Sequence, residues 1–269
     1  MDHLEREASK LRALVENPAG PASLKEAKDI LRNLKIALIQ LPSLPPTTTE
    51  SPTAVQERKL ARDVLESATI MSVKEEDIPA FERNITQLKV YYNSFGYSYL
   101  RALAISMLML PISSDQLPKS PLHYPLLGTR LLHLLVENRM AEFHGELEIL
   151  PSEGRADPNI AFSMKLEQYL MEGSYNKVLE ARTNEPNPYF KWFMSQLLQT
   201  VREAIADCAE VAYPSLAVAD AAKMLIFASL PEFQAYVVAN KPEWTVTGDV
   251  VWFQAPTKHL GYIPSISIV

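Results

Sequence analysis

The sequence predicts a mainly α protein: an α-solenoid arm of TPR-like helical hairpins, followed by a winged-helix module with a small β-hairpin. Three observations carry this expectation. Glycine numbers only 8 among 269 residues, apolar residues return every three or four positions along most of the chain, and beyond about residue 186 the elements read helix, strand, helix, helix, hairpin.

The first clear stripe is Leu24, Ala27, Leu31, Leu34, Leu38 and Leu41, with Ser23 and Glu26 as the expected capping box at its start. Pro42, Pro45, Pro46 and three threonines then form a polar connector. Ala61, Val64, Leu65, Ala68 and Met71 mark the next helix, and Phe81, Ile85, Leu88 and Tyr92 the one after it. Further stripes run through Leu127, Leu131, Leu134 and Leu135, through Met140, Phe143, Leu147 and Leu150, and through Phe162, Leu166, Tyr169 and Leu170. Asp157 before Pro158 predicts an N-cap with proline in the first turn, and Gly173–Ser174 a stop followed by a fresh cap. No strict 34-residue consensus is present, so the array is a degenerate helical repeat.

The second module begins with a long helix lined by Leu197, Leu198, Val201, Ile205 and Cys208. An extended piece at Ser215–Val218, helices over Asp220–Ala228 and Pro231–Asn240, and strands at Trp244–Thr247 and Val250–Gln254 follow, with Gly248–Asp249 as the hairpin turn. The resulting division is a helical arm over residues 1–185 and a winged-helix domain over 186–269.

Charge and composition narrow the function. A net charge of −6 and a pI near 5.5 disfavour a nucleic-acid backbone as ligand. From Tyr213 to Thr247 the only bases are Lys223 and Lys241, against Asp220, Glu232 and Glu243. His3, His123, His133, His144 and His259 have no metal-ligand spacing, and no glycine pair supports a nucleotide loop. Cys208, the one cysteine, is expected to be a buried, inert thiol, and it suits a reducing compartment. The most apolar stretch, Leu100–Leu110, is about half the roughly 20 residues that span a bilayer. The chain is therefore expected to have no catalytic residues, cofactor, metal, membrane or small-molecule substrate, and to bind protein.

The block Lys165–Arg182, KLEQYLMEGSYNKVLEAR, resembles the proteasome non-ATPase regulatory subunit 8 family, the small PCI-domain subunits of the regulatory-particle lid. ARDVLESATIMSV at Ala61–Val73, FERNITQLKVYY at Phe81–Tyr92, AEFHGELEIL at Ala141–Leu150, VREAIADCAEVAY at Val201–Tyr213 and the stretch Glu243–Gln254 resemble it in the same order. The resemblance implies a non-catalytic scaffold in cytoplasm and nucleus that supports lid assembly and ubiquitin-dependent protein degradation. Its implied partners are other PCI subunits of the lid and the assembled regulatory particle. Wings associate side by side in that family, and C-terminal helices gather into a bundle. Relative to the family pattern, residues 95–114 are expected to be an insertion, and the C-terminal helix to be lacking. The small subunit of the COP9 signalosome and the k subunit of translation initiation factor three share the same plan and remain alternatives, as does a winged-helix nucleic-acid binder.

The residues with most promise for a protein interface are Trp244, Val250, Trp252, Phe253 and Gln254. Strand alternation puts Trp252 on one face and Val251 and Phe253 on the other, so the aromatics either complete the small core or meet a neighbour. The contact expected is main-chain pairing along an open edge at Val250–Gln254, reinforced by aromatic burial.

Overall fold

The computed structural model describes residues 2–16, 20–44, 53–93, 117–227 and 229–253. The expected insertion at 95–114, Gln254 and the C-terminal residues lie outside the described residues.

The arm begins with α1, Asp2–Glu16, ahead of the first stripe expected from the sequence. Leu11 and Val15 on α1 are buried, and the helix packs against α2, Pro21–Ile39, and α3, Ala54–Lys74. The Lys74 ammonium donates to the Val15 carbonyl, satisfying one of the acceptors that the end of α1 leaves unpaired. The capping box expected at Ser23 and Glu26 is absent, because α2 starts earlier, after Gly20. Ser23 sits inside the first turn and donates its hydroxyl to the Gly20 carbonyl at 2.7 Å. Buried Glu57 ties the connector to α3 by accepting from the Thr53 hydroxyl at 2.8 Å and the Ser43 amide at 3.3 Å.

Helix α3 pairs with α4, Ile78–Asn93. Beyond it come α5, His123–Val136, α6, Met140–Ile149, the single turn α7, Ser152–Arg155, α8, Pro158–Met171, and α9, Tyr175–Ala181. Asp157 caps α8 as expected, its carboxylate accepting from the Asn159 amide at 2.9 Å with Pro158 behind it, a cap of about 1 kcal/mol. Gly173 ends α8 with a φ of 67°, but the Ser174 side chain makes no capping bond to α9.

The same helix ending recurs at three residues other than glycine, with strain at Glu76 and Ile226 and more readily at Asn138. Glu76 (φ 60°), Asn138 (φ 55°) and Ile226 (φ 61°) each hold the left-handed position, and the next residue's N–H bonds back to the carbonyl five before it. Three helices meet around an aromatic triangle: Phe81 of α4, His133 of α5 and Phe193 of α10 have centroids 5.2–5.6 Å apart.

The long helix α10, Phe190–Ala212, belongs to two cores. Phe190, Phe193, Met194, Leu197 and Leu198 join the arm's apolar cluster, whereas Val201, Ile205, Ala206 and Ala209 join the cluster beneath the wing. The change of core therefore falls inside α10, past the loop near residue 186. The buried stripe turns as the helix changes partners, which leaves Cys208 exposed, contrary to the buried thiol expected. After α10 come β1, Ser215–Ala217, α11, Val218–Met224, α12, Leu230–Asn240, β2, Thr245–Thr247, and β3, Val250–Trp252. This is the winged-helix order, and the fold is mainly α with one small antiparallel sheet.

Candidate protein interface

The sheet runs in the order β1-β3-β2, with Trp252 facing Ser215 on one side and Thr245 on the other. Strand β3 is thus central and already paired along both edges, which corrects the expectation that Val250–Gln254 offers an open edge. The pairing of β1 to β3 is long-range, and a hairpin pattern alone does not reveal it. Among the described residues the outer strands are β1 and β2. All three residues of β2, Thr245, Val246 and Thr247, are exposed, so the accessible edge is that of β2 and not of β3.

The side chains divide as alternation predicts. Val251 is fully buried, while Trp252 stands 50% exposed on the outer face. Around it on that face lie Val250, half-buried, and Ser215, Ala217, Thr245 and Thr247. This face carries no charge. Trp244 and Phe253, by contrast, are core residues in this chain, with rings packed edge to face.

Trp244 is also held by a polar clasp. Its indole N–H donates to Glu210 Oε1 at 2.8 Å, and Lys241 Nζ lies 2.6 Å from Asp207 and 2.8 Å from Glu210. Burial works against the Lys241 charge, but its hydrogen bonds to Asp207 and Glu210 win and hold its pKa above the usual lysine range. One of the two bases near the expected recognition helix is therefore neutralised by carboxylates of α10. Helix α12 itself, LPEFQAYVVAN, has no Lys or Arg to meet a phosphate backbone.

Titratable groups elsewhere in the arm are tied to one another. Glu82 of α4 accepts from Arg139 at 2.6 Å and Arg130 at 3.3 Å, and lies 3.2 Å from His133 Nε2. Burial would raise the Glu82 pKa, yet the bonds from His133, Arg139 and Arg130 together hold it at about 2. Burial lowers the His133 pKa, so at neutral pH the ring is uncharged and the arginines supply the positive charge. At the other end of α4, the Tyr92 hydroxyl donates to buried Glu66 at 2.8 Å, and the Arg62 guanidinium reaches the Pro118 carbonyl. Among the described residues no group of three or more His, Cys, Asp or Glu is placed to hold a metal ion. No described helix is long and apolar enough to cross a membrane.

Comparison with known proteins bears on this module directly. The sequence model of the CSN8/PSMD8/EIF3K family matches residues 121–260, just over half of the chain and the whole of α5 to β3. The chain belongs to the CSN8/PSMD8/EIF3K family. Among curated relatives, the 26S proteasome non-ATPase regulatory subunit 8 homolog A of Arabidopsis thaliana is 42% identical over 246 residues, covering 90% of this chain and 84% of that protein. The 26S proteasome regulatory subunit rpn12 of Schizosaccharomyces pombe is 28% identical, over 84% of this chain and 74% of its own. RPN12 of Saccharomyces cerevisiae is 25% identical, over 85% and 78%. The CSN8/PSMD8/EIF3K match includes all five residues expected at the interface, of which the structure buries Trp244 and Phe253 and exposes Trp252.

Proposed function

We propose that the chain is a non-catalytic structural subunit of the proteasome regulatory-particle lid, acting in cytoplasm and nucleus to complete the lid for ubiquitin-dependent degradation. The observation that carries this reading is the 42% identity across 90% of the chain with an Arabidopsis regulatory subunit 8 homologue. The geometry supports an assembly role: an uncharged sheet face with a half-exposed tryptophan lies next to an exposed strand edge. Strand β2 pairs with a strand of a neighbouring PCI subunit, and Trp252 is buried as the two wings close. The arm sets the position of the subunit; neither nucleic acid nor a small-molecule substrate takes part.

Affinity purification of the tagged chain with mass spectrometry tests the reading. Recovery of the other lid subunits is the expected result. Recovery of signalosome or initiation-factor-three subunits in their place would move the chain to one of the other branches of its family. A low-salt gel shift with random duplex DNA checks the nucleic-acid alternative, and no shift is expected.

A further inference from the structure

The block Lys165–Arg182, singled out in the sequence, plays no part in the contacts proposed for the wing. In the structure it comprises the second half of α8, the turn at Gly173 and all of α9, and it lies where the two cores meet. Leu170 packs against both apolar clusters. Tyr175, just past the turn, packs against the wing's cluster, while Val178, three residues on, is fully buried in the arm's. Helix α9 thus has one end on each core.

The turn between these residues is well braced. Gly173 takes a φ of 67°, the Ser174 N–H bonds to the Tyr169 carbonyl at 2.9 Å, and the Gly173 N–H bonds to the Leu170 carbonyl at 3.1 Å. Lys177 lies 3.7 Å from the Glu172 carboxylate and 5.2 Å from the centroid of the Tyr169 ring. Helix α10 also runs through both cores, with Leu198 in the arm's cluster and Val201, one turn on, in the wing's. A single helix leaves the joined bodies free to bend and twist about it. A second attachment off its axis removes that freedom, although relative motion is the usual behaviour of modules joined by a small interface.

We propose that the Leu170–Tyr175 turn is an elbow that fixes the angle of the wing on the arm, so that two separate cores move as one rigid body. The inference rests on the packing alone and holds whichever assembly the wing joins.

Cys208, exposed on the wing half of α10, provides one spin-label site, and Arg32→Cys on the exposed side of α2 provides the other. Pulsed electron resonance on the full chain is expected to give one narrow arm–wing distance distribution. Leu170→Ala is expected to broaden or displace it, whereas the volume-conserving Leu170→Met keeps it narrow. A second pair within the wing, Cys208 with Gln234→Cys, reports whether the wing itself stays folded, and Tyr175→Ala loosens the same turn from its other side. The proposal is overturned by a broad distribution in the parent chain. It is equally overturned if variants with an intact wing-internal distance keep the parent's arm–wing distribution, or if neither variant leaves the wing intact.

Discussion

The rings of Trp244 and Phe253 meet edge to face with their centroids 4.6 Å apart, closing the wing's core from two sides of the hairpin. Trp252, the residue immediately before Phe253, stands on the opposite face with half its surface exposed. The hairpin aromatics are therefore divided between the module's core and its surface, and substitutions should separate the two roles.

Trp244→Ala removes a buried indole, its bond to Glu210 and its edge-to-face contact with Phe253, and should cost about 3–5 kcal/mol of stability in a denaturant titration. Trp252→Asp should change the stability of the isolated chain by no more than about 1 kcal/mol, since the site is half in water. Its effect on assembly should be larger, a loss of about tenfold or more in affinity for neighbouring subunits. A large drop in melting temperature for Trp252→Asp, with assembly otherwise normal, would put Trp252 in the core as well.

Gly128 on α5 sits tightly against α8 and α10. A Cβ there would lie 2.9 Å from Phe190 Cζ and 3.1 Å from both Cβ and the carbonyl oxygen of Asn159. Phe190 is fully buried and has no room to withdraw. Gly128→Ala should therefore destabilise by about 1–3 kcal/mol from overpacking, despite the better helix propensity of alanine. Adding Phe190→Leu should recover part of the loss if the ring is the obstacle, and thermal melts of the single and double variants decide it.

Glu76 gives the opposite sign. It is exposed, it occupies the left-handed position at the end of α3, and glycine adopts that conformation without strain. Glu76→Gly should raise stability by about 0.5–1 kcal/mol. Glu76→Ala should give no such gain, because alanine keeps the Cβ that makes the conformation costly.

Acid should weaken the arm in two stages. Burial, with Lys119 and Arg62 nearby, lowers the His123 pKa from 6.5 to about 4. Between those values the unfolded chain binds the extra proton, so stability falls as pH drops from about 6.5 to about 4. Glu82, held at about 2 in the folded chain, contributes stability above its ordinary carboxylate range that is lost as pH falls through about 2. His123→Gln should reduce the upper stage, to which buried His133 also contributes, and leave the lower one, as read from denaturant midpoints measured across this range.

The sequence by itself determined the helical periods, the Asp157 and Gly173 boundaries and the winged-helix order, because each depends on spacing or on a residue's own backbone preference. Alternation along β3 is equally local, so the opposed faces of Trp252 and Phe253 were legible before any coordinates. Helix α1 could have been read too, since Leu4, Ala8, Leu11 and Val15 repeat at helical spacing behind the charges. Only the tertiary structure decided which strand of the wing is central, where α10 passes from one core to the other, and that Cys208 faces solvent. Strand order and core membership depend on contacts between segments far apart in the chain, where Ser215 meets Trp252 and Leu170 meets two cores. A periodic pattern fixes which face of an element is apolar; it leaves open what that face is packed against.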